Sequence, residues 1–282
     1  MSIEHIAVIG AGTMGNGIAQ VCAVAGYQVT LIDVSDAALE RGLATLRKNL
    51  ERQVSKQVLA ADLAEAAVAR IRTSTDYTQL QQAQMVIEAA TENLELKVRI
   101  LQQIATSVSS ECVIATNTSS LSITQLGAAV SHPERFIGVH FFNPVPMMAL
   151  VEIIRGLQTN DATHATAMAL TERVGKTPIS AGNRPGFVVN RILVPMINEA
   201  IFVLQEGLAS AEDIDIGMRL GCNQPIGPLA LADLIGLDTL LAILEAFHEG
   251  YSDSKYRPAP LLKEMVAAGY LGRKSGRGFF TY

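Results

Sequence analysis

Two ionisable residues stand in short apolar runs on either side of a proline-containing segment. His140 lies in the run FIGVHFF and Glu152 in the run LVEIIRG, with Pro144 and Pro146 between them. If the runs pair as antiparallel strands with the turn centred at Pro146, His140 and Glu152 become directly opposite residues. A carboxylate bonded to one imidazole nitrogen fixes the tautomer, and the other nitrogen can then exchange a proton with a substrate hydroxyl or carbonyl. The pair predicts a proton-transfer site with His140 as the acid/base.

Each residue of this pair also has a purely structural interpretation. A histidine between aromatic residues in a strand is often a hydrogen-bonded core or interface residue. A lone glutamate in an apolar run is costly to bury unless another group answers its charge. Because His140 and Glu152 each explain the other, we favour the paired interpretation.

A glycine-rich run, GAGTMG at residues 10–15, follows one predicted strand and opens a helical stretch. Such glycines allow a tight turn and let backbone N–H groups at the helix N-terminus meet a pyrophosphate. Asp33 ends the next predicted strand, where a carboxylate accepts hydrogen bonds from ribose hydroxyls. We expect a dinucleotide site here, although a glycine turn with an incidental acid is the alternative. The loop residues assigned to the cofactor are Gly10, Gly12, Met14 and Gly15.

The residues after Asp33 bear on the choice of dinucleotide. They are Val34, Ser35 and Asp36, and none is an arginine that could neutralise a 2′-phosphate. The sequence therefore favours NAD over NADP.

Other polar residues follow predicted strands at the edge where open α/β sheets bind ligands. Glu92 follows one such strand and Ser119 another. Ser122 accounts for the cap of the next short helix, so Ser119 is not needed for that role. Ser119 is then either a ligand for a substrate oxygen or an ordinary turn serine. Asn190 opens a long apolar helix, where an amide is out of place unless it faces a cleft or an interface.

The elements that must position these residues change character along the chain. The first part alternates apolar, β-branched runs with helical patterns, which is typical of buried parallel strands in a doubly wound sheet. The runs begin at residues 5, 29, 85, 113, 136, 150 and 176. After the segment GNRPG at 182–186, helical periodicity dominates, and we expect helices around 187–204, 211–220, 228–248 and 259–268. The predicted fold is a Rossmann-type, mostly parallel α/β domain over 1–184 and an all-α domain over 185–282.

Composition narrows the class of protein. Of 282 residues, 49% are hydrophobic and 17% are charged, as in a globular chain with a substantial core. A net charge of −5 gives no reason to expect nucleic acid binding, and no apolar run approaches the ~20 residues of a membrane span. Three cysteines without a C-x-x-C pair argue against a disulfide framework or a thiolate metal site. With no signal-peptide pattern at the start, we expect a cytoplasmic protein without a metal.

Taken together, these stretches resemble the L-3-hydroxyacyl-CoA dehydrogenase family along the whole chain. The matching stretches are VIGAGTMGNGIA, VIEAATENLELK, ATNTSSLSIT, FIGVHFFNPVPMMALVEII, RPGFVVNRILVPMINEA, EDIDIGMRLGCNQPIGPLAL and LGRKSGRGFF. The resemblance implies an NAD-binding domain followed by a helical substrate and dimerisation domain, a homodimer, and a place in fatty acid metabolism. It implies His140 as the catalytic histidine, Glu152 as its orienting acid, and Ser119 and Asn190 as ligands of the substrate oxygen. By the same matching, the residues lining the cofactor include Glu92, Lys97, Asn143 and Lys274.

The resemblance also implies a coenzyme A thioester substrate. Lys48, Arg52 and Lys56 recur at helical spacing and form one basic face. By itself this pattern is explained as well by a solvated helix face, but the resemblance places a CoA-binding lysine at Lys56, with Arg52 beside it.

The expected reaction is the reversible, NAD-dependent oxidation of a short-chain L-3-hydroxyacyl-CoA, such as 3-hydroxybutyryl-CoA, to the 3-ketoacyl-CoA. One alternative is a dehydrogenase of a free 3-hydroxy acid or sugar acid on the same fold. Another is a catalytically silent NAD-binding scaffold, which would keep the glycine loop and lose the His140–Glu152 pair.

Overall fold

The computed structural model describes residues 3–282, which form two compact units, 3–184 and 185–282. The first contains a β-sheet with helices, and the second is helical. The expected class, a Rossmann-type α/β domain followed by a helical domain, is confirmed.

Within the described residues, eight strands form one sheet in the first unit. The strands are β1 His5–Ile9, β2 Gln28–Ile32, β3 Ile71–Ser74, β4 Met85–Glu88, β5 Val113–Thr116, β6 Phe136–Phe141, β7 Leu150–Arg155 and β8 Thr177–Gly182. Their order in the sheet is β3-β2-β1-β4-β5-β6-β7-β8. The first six are mutually parallel, β7 is antiparallel to β6, and β8 is parallel to β7.

The degree of burial of each strand explains whether the sequence pattern predicted it. Every residue of β4, β5 and β6 is buried, so these strands read as continuous apolar runs. The sequence pattern did not predict β3, which has the sequence IRTS. Its two central residues, Arg72 and Thr73, are exposed, and a four-residue edge strand of this kind carries little hydrophobic signal.

Helices of the first unit connect the strands. Ser35 caps α2 and Asn93 caps α4, each accepting a backbone N–H from three residues on. Ser122 caps α5 in the same way, as predicted. The helices are α1 Thr13–Val24, α2 Asp36–Ser55, α3 Ala61–Ala69, α4 Leu94–Ser107, α5 Ile123–Gly127 and α6 Asp161–Arg173.

The second unit packs its helices around their own apolar core. Its helices are α7 Val189–Gln205, α8 Ala211–Gly221, α9 Pro228–Ile235, α10 Leu237–Tyr251 and α11 Pro260–Ala267. The prediction of one helix over 228–248 was wrong, because the helix is interrupted at Gly236, between α9 and α10. Gly236 has a φ of 100°, a conformation that glycine tolerates and that ends an α-helix.

Two buried aspartates organise the second unit. Asp215 accepts the backbone N–H groups of Leu229 and Ala230 in the first turn of α9. Asp233 accepts those of Phe279 and Phe280 and so fixes the C-terminal segment. Each carboxylate satisfies backbone donors that would otherwise lose their hydrogen bonds on burial.

Candidate active site

The His140–Glu152 pair lies across the antiparallel β6–β7 ladder. His140 is directly opposite Glu152 in the strand register, so the predicted pairing is confirmed. The Nδ1 atom of His140 lies 2.7 Å from Oε2 of Glu152. Both side chains are buried, with 6% of His140 and none of Glu152 exposed. A hydrogen bond of this length in a dry environment fixes the ring orientation and the tautomer.

The chain between the paired residues is anchored by a lysine that sequence reasoning missed. The ammonium of Lys176 donates to the carbonyl oxygens of Val145 and Met148, at 2.6 Å each. Burial lowers the pKa of Lys176, and the nearby Cys22 opposes this shift in part. Lys176 precedes β8, so the β7–β8 side of the sheet holds the connection between β6 and β7.

The glycine loop after β1 has the geometry of a dinucleotide-binding turn. Gly10 has a φ of 102°, and a Cβ on it would lie 2.8 Å from the carbonyl oxygen of Ala89. A Cβ on Gly15 would lie 1.7 Å from the carbonyl oxygen of Gly10, so any side chain there would break the turn. Met14 packs against the core of the unit instead of lying in the open loop.

Gly12 differs from these glycines, because a Cβ added to it would meet no protein atom within 4 Å. It lines a cavity of about 380 Å³ together with Thr13 and Asp33. Gly12 also precedes α1, whose first turn has no side-chain cap and no acidic residue within the described chain. The loop thus leaves room and unneutralised backbone N–H groups for a phosphate.

Asp33 lies at the same cavity, directly after β2. Its Oδ2 atom accepts the backbone N–H of Ala11 at 2.8 Å, which holds the carboxylate against the glycine loop. Asn143 also lines this cavity. The open loop, the placed carboxylate and the surrounding space fit the adenosine and pyrophosphate portions of NAD.

The cavity is also lined by a cationic residue, Arg41, which lies on α2. Sequence reasoning considered only the three residues after Asp33 and so missed it. The signal was present, because Arg41 is eight positions after Asp33 and five after the start of α2.

Glu92 and Ser119 are brought together beside the carboxyl ends of β4 and β5. The Oε1 atom of Glu92 accepts the backbone N–H groups of Ser119 and Ser120 at 2.9 and 3.1 Å. It also accepts the hydroxyls of Thr118, Ser119 and Ser120 at 2.5, 3.3 and 3.0 Å. One carboxylate oxygen therefore gathers the loop that follows β5.

A buried ion pair lies beside Glu92. The ammonium of Lys97, only 1% exposed, is 2.8 Å from Oε1 of Glu88 and 3.6 Å from Oε2 of Glu92. Glu88 is fully buried and also accepts the hydroxyl of Thr116 and the N–H of Ala90. Sequence reasoning missed Glu88, although a glutamate at the end of an apolar run was a visible signal. Glu88 thus holds the Lys97 ammonium in place, and that ammonium attracts the Glu92 carboxylate.

The charge of Glu92 follows from these contacts. The partial withdrawal of its carboxylate from water would by itself raise the pKa of Glu92. The Lys97 ammonium and the hydrogen bonds from the 118–120 loop outweigh this effect, and the net result is a lowered pKa. Glu92 is therefore a carboxylate at neutral pH.

Asn190 and Lys274 belong to the second unit. Asn190 is the second residue of α7 and is partly exposed. Lys274 forms an ion pair with Asp238 at the start of α10. Their predicted roles toward substrate and cofactor stay predictions.

The predicted basic face on α2 is exposed. Lys48 and Arg52 lie on the helix and Lys56 at its C-terminal cap. Among residues 3–282, no carboxylate lies within ion-pair distance of these three cations. Their charges are thus not consumed by neighbours, as an anion-binding role requires.

Within the part of the chain that the structure describes, no group of three or more histidine, cysteine or acidic side chains could hold a metal ion. In the same range, no helix is long and apolar enough to cross a membrane.

Comparison with known proteins gives two family matches that together span nearly the whole chain. Residues 5–184 match the NAD binding domain of 3-hydroxyacyl-CoA dehydrogenase, and residues 186–282 match the C-terminal domain. The 3-hydroxybutyryl-CoA dehydrogenase of Bradyrhizobium diazoefficiens is 50% identical over 280 residues, which cover 99% of this chain and 96% of that one. The crystal structure of (S)-3-hydroxybutyryl-CoA dehydrogenase from Ralstonia eutropha is 60% identical, with a TM-score of 0.98 over 100% of this chain and 99% of that chain.

Proposed function

The chain belongs to the 3-hydroxyacyl-CoA dehydrogenase family of NAD-dependent oxidoreductases, and we propose that it interconverts 3-hydroxybutyryl-CoA and acetoacetyl-CoA. The observation that carries the proposal is the buried His140–Glu152 pair in the same unit as the dinucleotide cavity. The pair supplies the proton transfer that must accompany hydride transfer at a hydroxyl carbon. The relatives at 50% and 60% identity bear the name of this substrate.

In the oxidative direction, His140 removes the proton of the substrate hydroxyl. Its Nδ1 atom is bonded to Glu152, so Nε2 is the atom that receives this proton. The Glu152 carboxylate stabilises the imidazolium that results, and burial of the pair strengthens this attraction. Ser119 and Asn190 hold the reacting oxygen, and in reduction the roles reverse.

NAD, when bound, would supply the acceptor for the hydride of the hydroxyl-bearing carbon. Gly10, Gly12 and Gly15 shape the loop for its pyrophosphate, and Asp33 holds a ribose. Asn143 lines the same cavity. We also assign Met14, Glu92, Lys97 and Lys274 to the surroundings of the cofactor, on the resemblance alone.

The CoA portion of the substrate carries phosphates, and we propose that Lys56 and Arg52 bind them. Both are exposed, and both belong to a cationic face without paired carboxylates in the described chain. The alternative, a dehydrogenase of free 3-hydroxy acids, leaves this face without a ligand.

We further propose that the second unit contributes the substrate and dimerisation functions and that the protein is a cytoplasmic homodimer. The second unit exposes large apolar residues on α8, which an interface between copies would cover. The thiols of Cys22 and Cys112 are buried and unpaired, as is ordinary for a reducing compartment.

A spectrophotometric assay of NADH oxidation tests the reaction. We expect turnover with acetoacetyl-CoA and little with free acetoacetate, because the free acid lacks the portion that the basic face binds. Equal efficiency with the two substrates would favour the free-acid alternative. Absence of turnover with both would refute the proposed function.

A further inference from the structure

The loop after β5 is held by a single carboxylate oxygen. Oε1 of Glu92 lies within hydrogen-bond distance of five donors from residues 118–120. A carboxylate oxygen offers about two lone-pair sites, so five donors must share them. Some of these bonds are consequently weak and can be given up without releasing the loop.

The weakest of the five belongs to the residue that the reaction needs. The hydroxyl of Ser119 is 3.3 Å from Glu92, whereas the other four donors lie between 2.5 and 3.1 Å. The backbone N–H of Ser119 is among those four, at 2.9 Å. Its backbone is thus fixed, while its hydroxyl is free to turn from Glu92 to a substrate oxygen at little cost.

Glu92 is itself fixed from the other side. Its second oxygen, Oε2, lies 3.6 Å from the Lys97 ammonium, and Lys97 is held by the buried Glu88 at the end of β4. The chain of contacts runs from the buried sheet through Lys97 and Glu92 to the Ser119 loop. Such a support keeps a reactive group in place without touching the reacting atoms.

We propose that Glu92 is a positioning residue for the reaction, whose carboxylate holds the 118–120 loop so that the Ser119 hydroxyl is presented to the reacting oxygen. This rests on the proposed function. It goes beyond the cofactor contact proposed above, because Glu92 then also acts on the chemical step through Ser119, and this effect on kcat is separate from any effect on NADH affinity.

A double-mutant cycle on the full-length enzyme tests the proposal, with Glu92→Gln, Ser119→Ala and the double variant. The readouts are kcat with acetoacetyl-CoA, the Kd of NADH by fluorescence, and Tm. Glu95→Gln is the matched control, since it removes an exposed carboxylate from the first turn of the same helix, α4. Glu92→Asp keeps the charge but shortens the side chain, so it should weaken the hydrogen bonds to the 118–120 loop as Glu92→Gln does.

We expect Ser119→Ala to lower kcat by about a hundredfold to a thousandfold, as removal of a donor to a reacting oxygen does. Glu92→Gln should lower kcat by about tenfold at saturating NADH, whatever its effect on the NADH Kd, and the double variant should then be no worse than Ser119→Ala. Penalties that multiply, or a Glu92→Gln effect confined to NADH affinity or Tm, would overturn the proposal. An unaffected Ser119→Ala variant in an active enzyme would overturn it too, whereas a parent enzyme inert toward acetoacetyl-CoA would refute the proposed function itself.

Discussion

At the scale of single residues, Asp33 contributes a negative charge to the cavity beside the glycine loop. Asp33 is held by the N–H of Ala11, so it cannot easily turn away from a ligand in the cavity. In the proposed binding mode of NAD, its negative charge repels the 2′-phosphate of NADP, while its oxygens accept from the ribose hydroxyls of NAD. Arg41 lines the same cavity and would attract that phosphate once the carboxylate is removed.

Asp33→Ala should therefore narrow the preference for NADH over NADPH by about tenfold or more, measured as the ratio of the two kcat/KM values. The comparison variant is Asp36→Ala, which removes an exposed acid in the first turn of α2 and should leave the ratio unchanged. An unmodified enzyme that uses both cofactors equally well would show that Asp33 has been misassigned.

The residue-level predictions succeeded where a pattern in the chain fixed a geometry. The β6–β7 pairing followed from two apolar runs and a proline-containing turn, and these placed His140 opposite Glu152. Glu88 was missed although it ends an apolar run and its partner Lys97 is only nine residues on. Lys176 was not predicted, because the carbonyls that it contacts lie 28 and 31 residues earlier in the chain. Spacing in a single sequence carries no record of such contacts.

At the scale of elements, the connection between β6 and β7 matters because it leads from the His140–Glu152 pair to the cavity that Asp33 lines. Asn143, Pro144, Val145 and Pro146 line that cavity, and Lys176 bonds two carbonyls of the connection. These bonds are charge-assisted and shielded from water, so their loss leaves carbonyl oxygens without equivalent partners.

Lys176→Met should lower the free energy of unfolding by about 2 kcal/mol, seen as a fall in Tm and in the denaturant midpoint. We also expect a higher Kd for NADH, because the 143–146 segment that lines the cavity loses its bonds to Lys176. Lys263→Met, at an exposed position of α11, is the control and should change neither quantity. A Lys176→Met enzyme as stable as its parent would mean that the connection holds itself.

Most of the elements that were predicted correctly are long or strongly apolar. The short edge strand β3 was missed, since two of its four residues face solvent. The break between α9 and α10 was missed because the apolar pattern continues through Gly236, and one isolated glycine does not by itself announce a helix end.

At the scale of the whole molecule, the exposed face of α8 predicts assembly. Ile216 and Leu220, four residues apart on one helix face, are 48% and 78% exposed. We expect the Ile216→Glu/Leu220→Glu variant to elute as a monomer in size-exclusion chromatography with light scattering, while the unmodified protein has the mass of two chains. Leu157→Glu, at an exposed position of the first unit, should remain dimeric. A dimer that survives both changes on α8 would place the interface elsewhere.

The proposed mechanism depends on His140 and Glu152 acting as one unit, and a double-mutant cycle on this pair measures that directly. His140→Gln should lower kcat by about 10²–10⁴-fold while NADH binds normally. Glu152→Gln removes the negative charge, so its pH–rate profile in the oxidative direction should move to lower pH.

Because both substitutions disable the same proton transfer, we predict that the double variant is little worse than His140→Gln alone. Penalties that multiply, together with an unshifted pH–rate profile for Glu152→Gln, would contradict the account and leave Glu152 with a structural role only.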